Sequence, residues 1–340
     1  MTHRRGRRIR CWRALLILSL LAFILTACGT SRSAPDSSPK PDNPNPAGAR
    51  VGGKILFAQN GDISVWDGSI KRITQVGDAS APRWSGDGSR FVFVRTGYST
   101  SDIFVADADG GNMRQLTRDE PLMTPGTEAY AQASVWALDP AWSRSGESIV
   151  FVSDRGTAKN YLWIMHGVGN NPTQVPASSV NGENVEHPDF SPDGSQIVFD
   201  QRTGANESYT DRWTQIWKAD LGTNQLTPLV RGDKASYYPA FSPDGAWVAF
   251  IQRNGKANDL WVVPAGGGTP TQLTTTGAVT APAWSPDGKN IAFLQADGQS
   301  FKASYVEFSA GADGGPKASK PQDLFTADGI DAPSGLSWTR

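Results

Sequence analysis

From Gly53 onward the apolar residues fall in short clusters such as "QIVFD", "WVAFI" and "NIAFL", set apart by polar turns rich in Gly, Pro, Asp and Ser. Such a pattern predicts many short strands joined by tight turns. The clusters also recur within a phrase. "PDFSPDGSQIVFD" from Pro188 returns as "PAFSPDGAWVAFI" from Pro239 and "PAWSPDGKNIAFL" from Pro282, with looser copies from Pro82 and Pro140. Each copy runs Pro, one residue, an aromatic, Ser, a turn, then an apolar stretch ending in Phe. The aromatics are Trp84, Trp142, Phe190, Phe241 and Trp284, at spacings of 58, 48, 51 and 43 residues. A period of this length signals a propeller or another repeat array.

The turn has a physical reading. In "SPDG" the Pro presets φ, the Asp accepts from nearby backbone N–H groups and the Gly supplies the positive φ that ends the turn. The looser copies, "SGDG" at 85–88 and "SRSG" at 143–146, keep the Gly. That is the residue sterics demand. Each phrase therefore predicts a hairpin, with Asp193 as a turn acceptor.

Two further strand-like stretches follow each hairpin, for example "DIFVAD" then "MRQLTR", and "DLWVVP" then "PTQLTT". Four strands make one antiparallel blade. The copies of the third and fourth strands number six, but full first strands number only five. "GKILFAQ" from Gly53 is a second strand with no first strand before it, and "LSWTR" at the C-terminus is a first strand with no second after it. Together they complete a blade. The expected fold is all-β: a six-bladed β-propeller of four-stranded antiparallel blades over residues 51–340, closed by pairing the C-terminal strand with N-terminal strands, which leaves no open edge.

"PAWSPDGKNIAF" and "DLWVVPAGGGTPTQLT" resemble the WD-like repeat of TolB-type propellers, over nearly all of residues 51–340. The resemblance implies the fold. It says less about function, because the repeat also occurs in the propellers of prolyl-oligopeptidase-like enzymes and in lipoproteins of many roles. The pattern departs from TolB in lacking an N-terminal α/β domain before Val51.

The first 27 residues read as a lipoprotein signal peptide: a basic stretch, "MTHRRGRRIRCWR", then the apolar run "ALLILSLLAFILTA". "LTAC" resembles a lipobox, with cleavage between Ala27 and Cys28 and lipidation of the Cys28 thiol. Residues 28–50 are Pro- and Ser-rich with no large apolar residue and are expected to be a disordered tether. Localisation is then extracytoplasmic in a bacterial envelope, with a membrane as partner through the lipid. Without residues 1–27, which carry six Arg and no acid, 26 basic residues face 33 acidic ones, a net charge of −7. Nucleic acid is therefore not an expected partner.

Chemistry is sparse. There is no G-x-S-x-G elbow, only His166 and His187 remain outside the signal peptide, and no free Cys does. A hydrolytic triad or a His-rich metal site lacks raw material. "DADGGN" and "AGADGG" lack the ligand count of calcium loops. No catalytic residue, cofactor or metal is expected. The long loops fall on one face, where binding usually resides. Tyr130, Trp136, Asp139, His187, Tyr209, Arg212, Trp213, Tyr237 and Tyr238 form the candidate binding face, with Asp139, His187 and Tyr238 at the channel mouth. The expected function is a monomeric, non-enzymatic binding module for an envelope protein or polymer. The alternatives are a lyase or hydrolase acting on a saccharide in the channel, and a solute sensor or carrier.

Overall fold

A computed structural model describes residues 51–118, 121, 123–157, 159–167, 169, 171–179, 184–203, 213–311 and 315–340, the side chains of Thr203 and Trp213 excepted. Residues 1–50, with Ala27, Cys28 and the expected signal peptide and tether, lie outside the described residues. Among the described residues no helix is long and apolar enough to cross a membrane.

Six antiparallel sheets form the blades. Their innermost strands, from blade 1 to blade 6, are Leu336–Thr339, Ala79–Trp84, Ala137–Trp142, Val185–Phe190, Ser236–Phe241 and Val279–Trp284. The second strands are Lys54–Gln59, Arg90–Thr96, Ser148–Ser153, Gln196–Thr203, Trp247–Asn254 and Asn290–Asp297. The third are Asp62–Trp66, Ser101–Asp107, Tyr161–His166, Trp213–Asp220, Ala257–Pro264 and Ser300–Ala310. Short fourth strands complete each blade: Ile70–Arg72, Arg114–Gln115, Thr173–Gln174, Leu226–Val230, Thr271–Gln272 and Gln322–Thr326. Blade 6 is larger than expected, because Ser300–Ala310 runs past its blade and its far end pairs with an additional strand, Pro316–Ala318. Closure is as the repeat count requires. Lys54 pairs with Thr339, Ile55 with Trp338, Leu56 with Ser337 and Phe57 with Leu336.

The second strands read as continuous apolar runs because neighbouring blades cover both of their faces. Phe57, Phe93, Phe151, Phe199, Phe250 and Phe293 occupy one equivalent position in the six blades and are fully buried. Trp84 and Trp284 tie neighbouring blades together. Trp84 Nε1 donates from blade 2 to the Lys54 carbonyl of blade 1 (3.2 Å) and Trp284 Nε1 from blade 6 to Ala240 of blade 5 (3.1 Å), whereas Trp338 Nε1 donates to Gly52 (3.0 Å) at the start of its own blade.

The turns behave as their residues dictate. Ser191 Oγ donates to Asp193 Oδ1 at 2.6 Å, Asp193 Oδ1 accepts the Ser195 N–H, and Gly194 takes φ 73°. In three blades a second lock appears that the hairpin phrase does not contain. Thr74, Thr117 and Thr274 donate to Asp62, Asp102 and Asp259 and accept the N–H of Ile63, Ile103 and Leu260, a buried clasp holding the fourth segment against the third strand.

Candidate functional site

Each full innermost strand carries a bulge at its proline. Register shifts fall between Ser80 and Arg83, Leu138 and Ala141, Glu186 and Asp189, Tyr237 and Ala240, and Thr280 and Ala283. Proline offers no N–H to the ladder and steers its predecessor away from the helical region. The residue before it takes positive φ: Ala81 48°, Asp139 47°, His187 51°, Tyr238 54° and Ala281 53°, with Gly335 at 72° in the incomplete copy. For a non-glycine residue that conformation costs about 1–2 kcal/mol.

Those six positions form one ring around the mouth of the channel. Blades 6, 1 and 2 supply Ala281, Gly335 and Ala81, and blades 3, 4 and 5 supply Asp139, His187 and Tyr238. One half of the mouth is small and the other polar. Within the polar three, His187 touches both of the others. Asp139 Oδ2 accepts the His187 backbone N–H at 3.4 Å, and the His187 and Tyr238 rings lie 3.8 Å apart between centroids. His187 Nδ1 is 2.8 Å from Asp200 Oδ1.

Below the ring the next position but one along the strand lines the channel in five blades, as Arg83, Asp189, Ala240, Ala283 and Ser337. Arg83 Nη1 donates to the carbonyls of Pro82 and Ser334, both at 2.9 Å. Asp189 Oδ2 accepts the Phe241 N–H at 2.8 Å, and Ser337 Oγ accepts the Trp84 N–H at 2.9 Å, so this position also stitches blade 4 to blade 5 and blade 1 to blade 2. The cavity they enclose is about 160 Å³, with Arg83, Asp139, Arg144, His187, Asp189 and Tyr238 among its walls.

Electrostatics follow from burial among carboxylates. Burial opposes charging His187, but the Asp200 and Asp139 carboxylates, the hydrogen bond to Asp200 and the charge of Glu186 outweigh it and raise its pKa to about 9. Burial lifts Asp200 to about 6 against the pull of His187. Asp189 is likewise lifted to about 6 by burial, against the Phe241 N–H and the charge of Arg83. Burial lowers the Arg83 guanidinium while Asp139 and Asp189 hold it charged, and burial with the Asp139 charge raises the Tyr238 phenol. The result is a channel with a fixed cation on one wall and a His–carboxylate pair on another. It can bind a polar or charged group, and can hold or move a proton at His187.

The remaining candidate residues sit elsewhere. Tyr130 is buried in a short helix, α1 (Glu128–Ala133), whose N-terminus is capped by Thr127 Oγ1. It is the buried residue of that helical turn, 2% exposed, and so is not part of an open face. Trp136 is half-buried, bridged to Ser101, its N–H held by Asp154 Oδ1 at 2.9 Å. Tyr237 pairs with Ile251 in blade 5. Tyr209 and Arg212 lie outside the described residues, as does the side chain of Trp213. In "DADGGN", Asp107 and Asp109 are occupied by Asn112 Nδ2 and the Gly111 N–H, as in an ordinary turn.

Arg83, Asp189 and Asp200 belong to the site and are absent from the sequence-based set. Asp200 had a readable signal. It follows the strand-ending Phe199, where the other blades carry Ala58, Val94, Val152, Ile251 and Leu294, all essentially buried. A carboxylate stands alone in an apolar column.

A ring of six blades around a polar channel defines a propeller with an axial binding cavity. The chain matches the TolB beta propeller domain family (PD40) over residues 63–210 and the dipeptidyl peptidase IV N-terminal region over residues 191–281. It is a TolB-like β-propeller. Among curated proteins it is 27% identical to the Tol-Pal system protein TolB of Francisella tularensis over 229 residues, 56% of this chain and 50% of that protein. It is 24% identical to the uncharacterized peptidase YuxL of Bacillus subtilis over 216 residues, 52% of this chain and 30% of that one. The chain thus spans half or less of the length of these relatives. Among solved structures, TolB from Acinetobacter baumannii superposes with a TM-score of 0.64 at 18% identity, covering 84% of this chain and 66% of that one.

Proposed function

We propose that this protein is a non-enzymatic, lipid-anchored binding module outside the cytoplasm, which receives an envelope protein or polymer at the channel mouth. The observation that carries the reading is the polar half-ring. The bulge itself accepts Ala81, Ala281 or Gly335, so geometry does not require Asp139, His187 and Tyr238 at the equivalent positions. Partly exposed polar and aromatic groups held at a strained backbone position are suited to recognition. Likeness to TolB, a Tol-Pal system protein by name, agrees with an envelope role. Crosslinking in the native envelope followed by pull-down tests it. Wild-type protein captures a partner that an Asp139→Ala/Tyr238→Ala variant does not; equal capture by both removes this face. Replacement of Cys28 by Ala releases the protein from the membrane fraction, and continued need for detergent overturns the anchor.

One observation favours a second reading, a lyase or hydrolase acting on a saccharide. The channel is lined by acids: Asp139 and Asp189 line the cavity with His187, whose ring nitrogen meets Asp200. Product formation from oligosaccharides, lost in His187→Ala, would establish it. A stable complex with no turnover supports the binding reading.

A further inference from the structure

We propose that Glu186, His187 and Asp200 form a binding site for a single divalent transition-metal ion at the channel mouth. Glu186 and His187 are consecutive on the innermost strand of blade 4, and Asp200 is on the second strand, paired in register with Glu186. One ligand atom from each residue lies within 4.8 Å of the others. Binding one ion would draw all three atoms closer together, to the roughly 2.0–2.2 Å from the metal that nitrogen and oxygen ligands adopt.

Asp200 supplies an independent pointer. Its side chain is 1% exposed, its Oδ1 meets His187 Nδ1, and its Oδ2 has no hydrogen-bond partner among the described residues. A buried carboxylate oxygen is rarely left this way, since desolvation is repaid only by a partner. The five equivalent positions hold apolar side chains, so blade packing does not call for an acid here. Glu186 stands directly across from it, and like charges on facing strand positions repel. A shared cation satisfies Asp200 Oδ2 and removes that repulsion. Asp139, which reaches the His187 backbone, adds a further negative charge beside the site.

The donor set selects the ion. One imidazole nitrogen and two carboxylate oxygens suit Zn²⁺, Mn²⁺ or Fe²⁺ rather than Ca²⁺, which takes 6–8 oxygens. Three protein ligands leave coordination positions open, as in metal sites that engage a further ligand. An ion here would give the mouth a Lewis-acidic contact for a carboxylate or hydroxyl of whatever enters the channel. The site does not depend on the binding reading above, since metal affinity is measured without a partner.

The test uses the full protein, extracted from membranes in detergent, without a histidine tag and stripped with a chelator. Titration with Zn²⁺ by calorimetry, and with Co²⁺ by its visible absorption, is expected to show one equivalent bound per chain. Asp200→Asn and His187→Gln are each expected to weaken binding by about 100-fold or more, judged against the 10–100-fold that even indirect ligand contacts are worth. Glu186→Gln, at a half-buried position, is expected to lose affinity while still showing a cooperative melting transition without metal. It decides the matter should either other variant fail to fold. Absence of stoichiometric binding by the wild type, unchanged affinity in Glu186→Gln, or tighter binding of Ca²⁺ than of Zn²⁺ overturns the proposal.

Discussion

Replacing His187 by Ala isolates what the buried pair in blade 4 contributes. Ala already occupies the equivalent bulge as Ala81 (φ 48°) and Ala281 (φ 53°), so the substitution introduces no new backbone strain. It does strip Asp200, 1% exposed, of its one hydrogen bond, at 2.8 Å, among the described residues. Breaking a buried ion pair from one side costs about 3–5 kcal/mol. Adding Asp200→Val then makes the column after the buried Phe uniformly apolar, matching Val94 and Val152. That removes an unsatisfied carboxylate, worth about 1–3 kcal/mol or more, and buries roughly two methyl groups at about 0.8 kcal/mol each. The double variant is therefore expected to be more stable than His187→Ala by about 3 kcal/mol, and close to or above the wild type. Urea unfolding in chelator, followed by Trp fluorescence, reads the four corners of the cycle. Additivity within about 0.5 kcal/mol, or a double variant less stable than His187→Ala, would refute the claim that Asp200 is held in place at a cost to stability.

Closure and turn chemistry yield further expectations. Leu336, 4% exposed, packs with Ile55, Phe57 and Ala332, so Leu336→Ala is expected to lower stability by about 2–5 kcal/mol, measured by the urea midpoint. Ser337→Ala removes the acceptor for the Trp84 N–H and is expected to cost about 1 kcal/mol. The turn carboxylates Asp87, Asp193, Asp244 and Asp287 are held below their ordinary range, Asp87 at about 2, chiefly by Ser hydroxyls except at Asp244, where opposing burial is the larger influence. A depressed folded pKa contributes stability that is full above the unfolded value, about 4, and is lost as pH falls through the folded one. Replacing all four by Asn is expected to flatten the fall of melting temperature between about pH 4 and pH 2; an unchanged slope would show that these turns do not set acid stability.

Blade number and closure are legible because each rests on a steric or hydrogen-bonding need that recurs: Gly at the turn, Pro at the bulge, and Phe sealed between blades. The polar half of the mouth is legible too, since Asp139, His187 and Tyr238 all precede the repeat proline. Arg83 and Asp189 are harder to see. They fill the variable slot between proline and aromatic, where Ala141, Ala240 and Ala283 give no hint that the position faces a cavity. Tyr130 shows the converse limit. Residue type marks it as a contact aromatic, but its direction is decided by the capped helix α1, which forms within a loop lacking repeat partners. Asp200 required aligning the second strands by column, because its meaning lies in what its equivalents are.

The account stands on recognition through the polar half of the mouth, and one measurement bears on it most directly. The partner captured from the envelope is titrated against wild-type protein, against Asp139→Ala/Tyr238→Ala, and against Lys289→Ala in a turn on the opposite face. The account predicts a loss of affinity of at least about 10-fold for the mouth variant, equivalent to about 1.4 kcal/mol, and none for Lys289→Ala. Equal affinity for wild type and mouth variant, or a loss confined to Lys289→Ala, would contradict it.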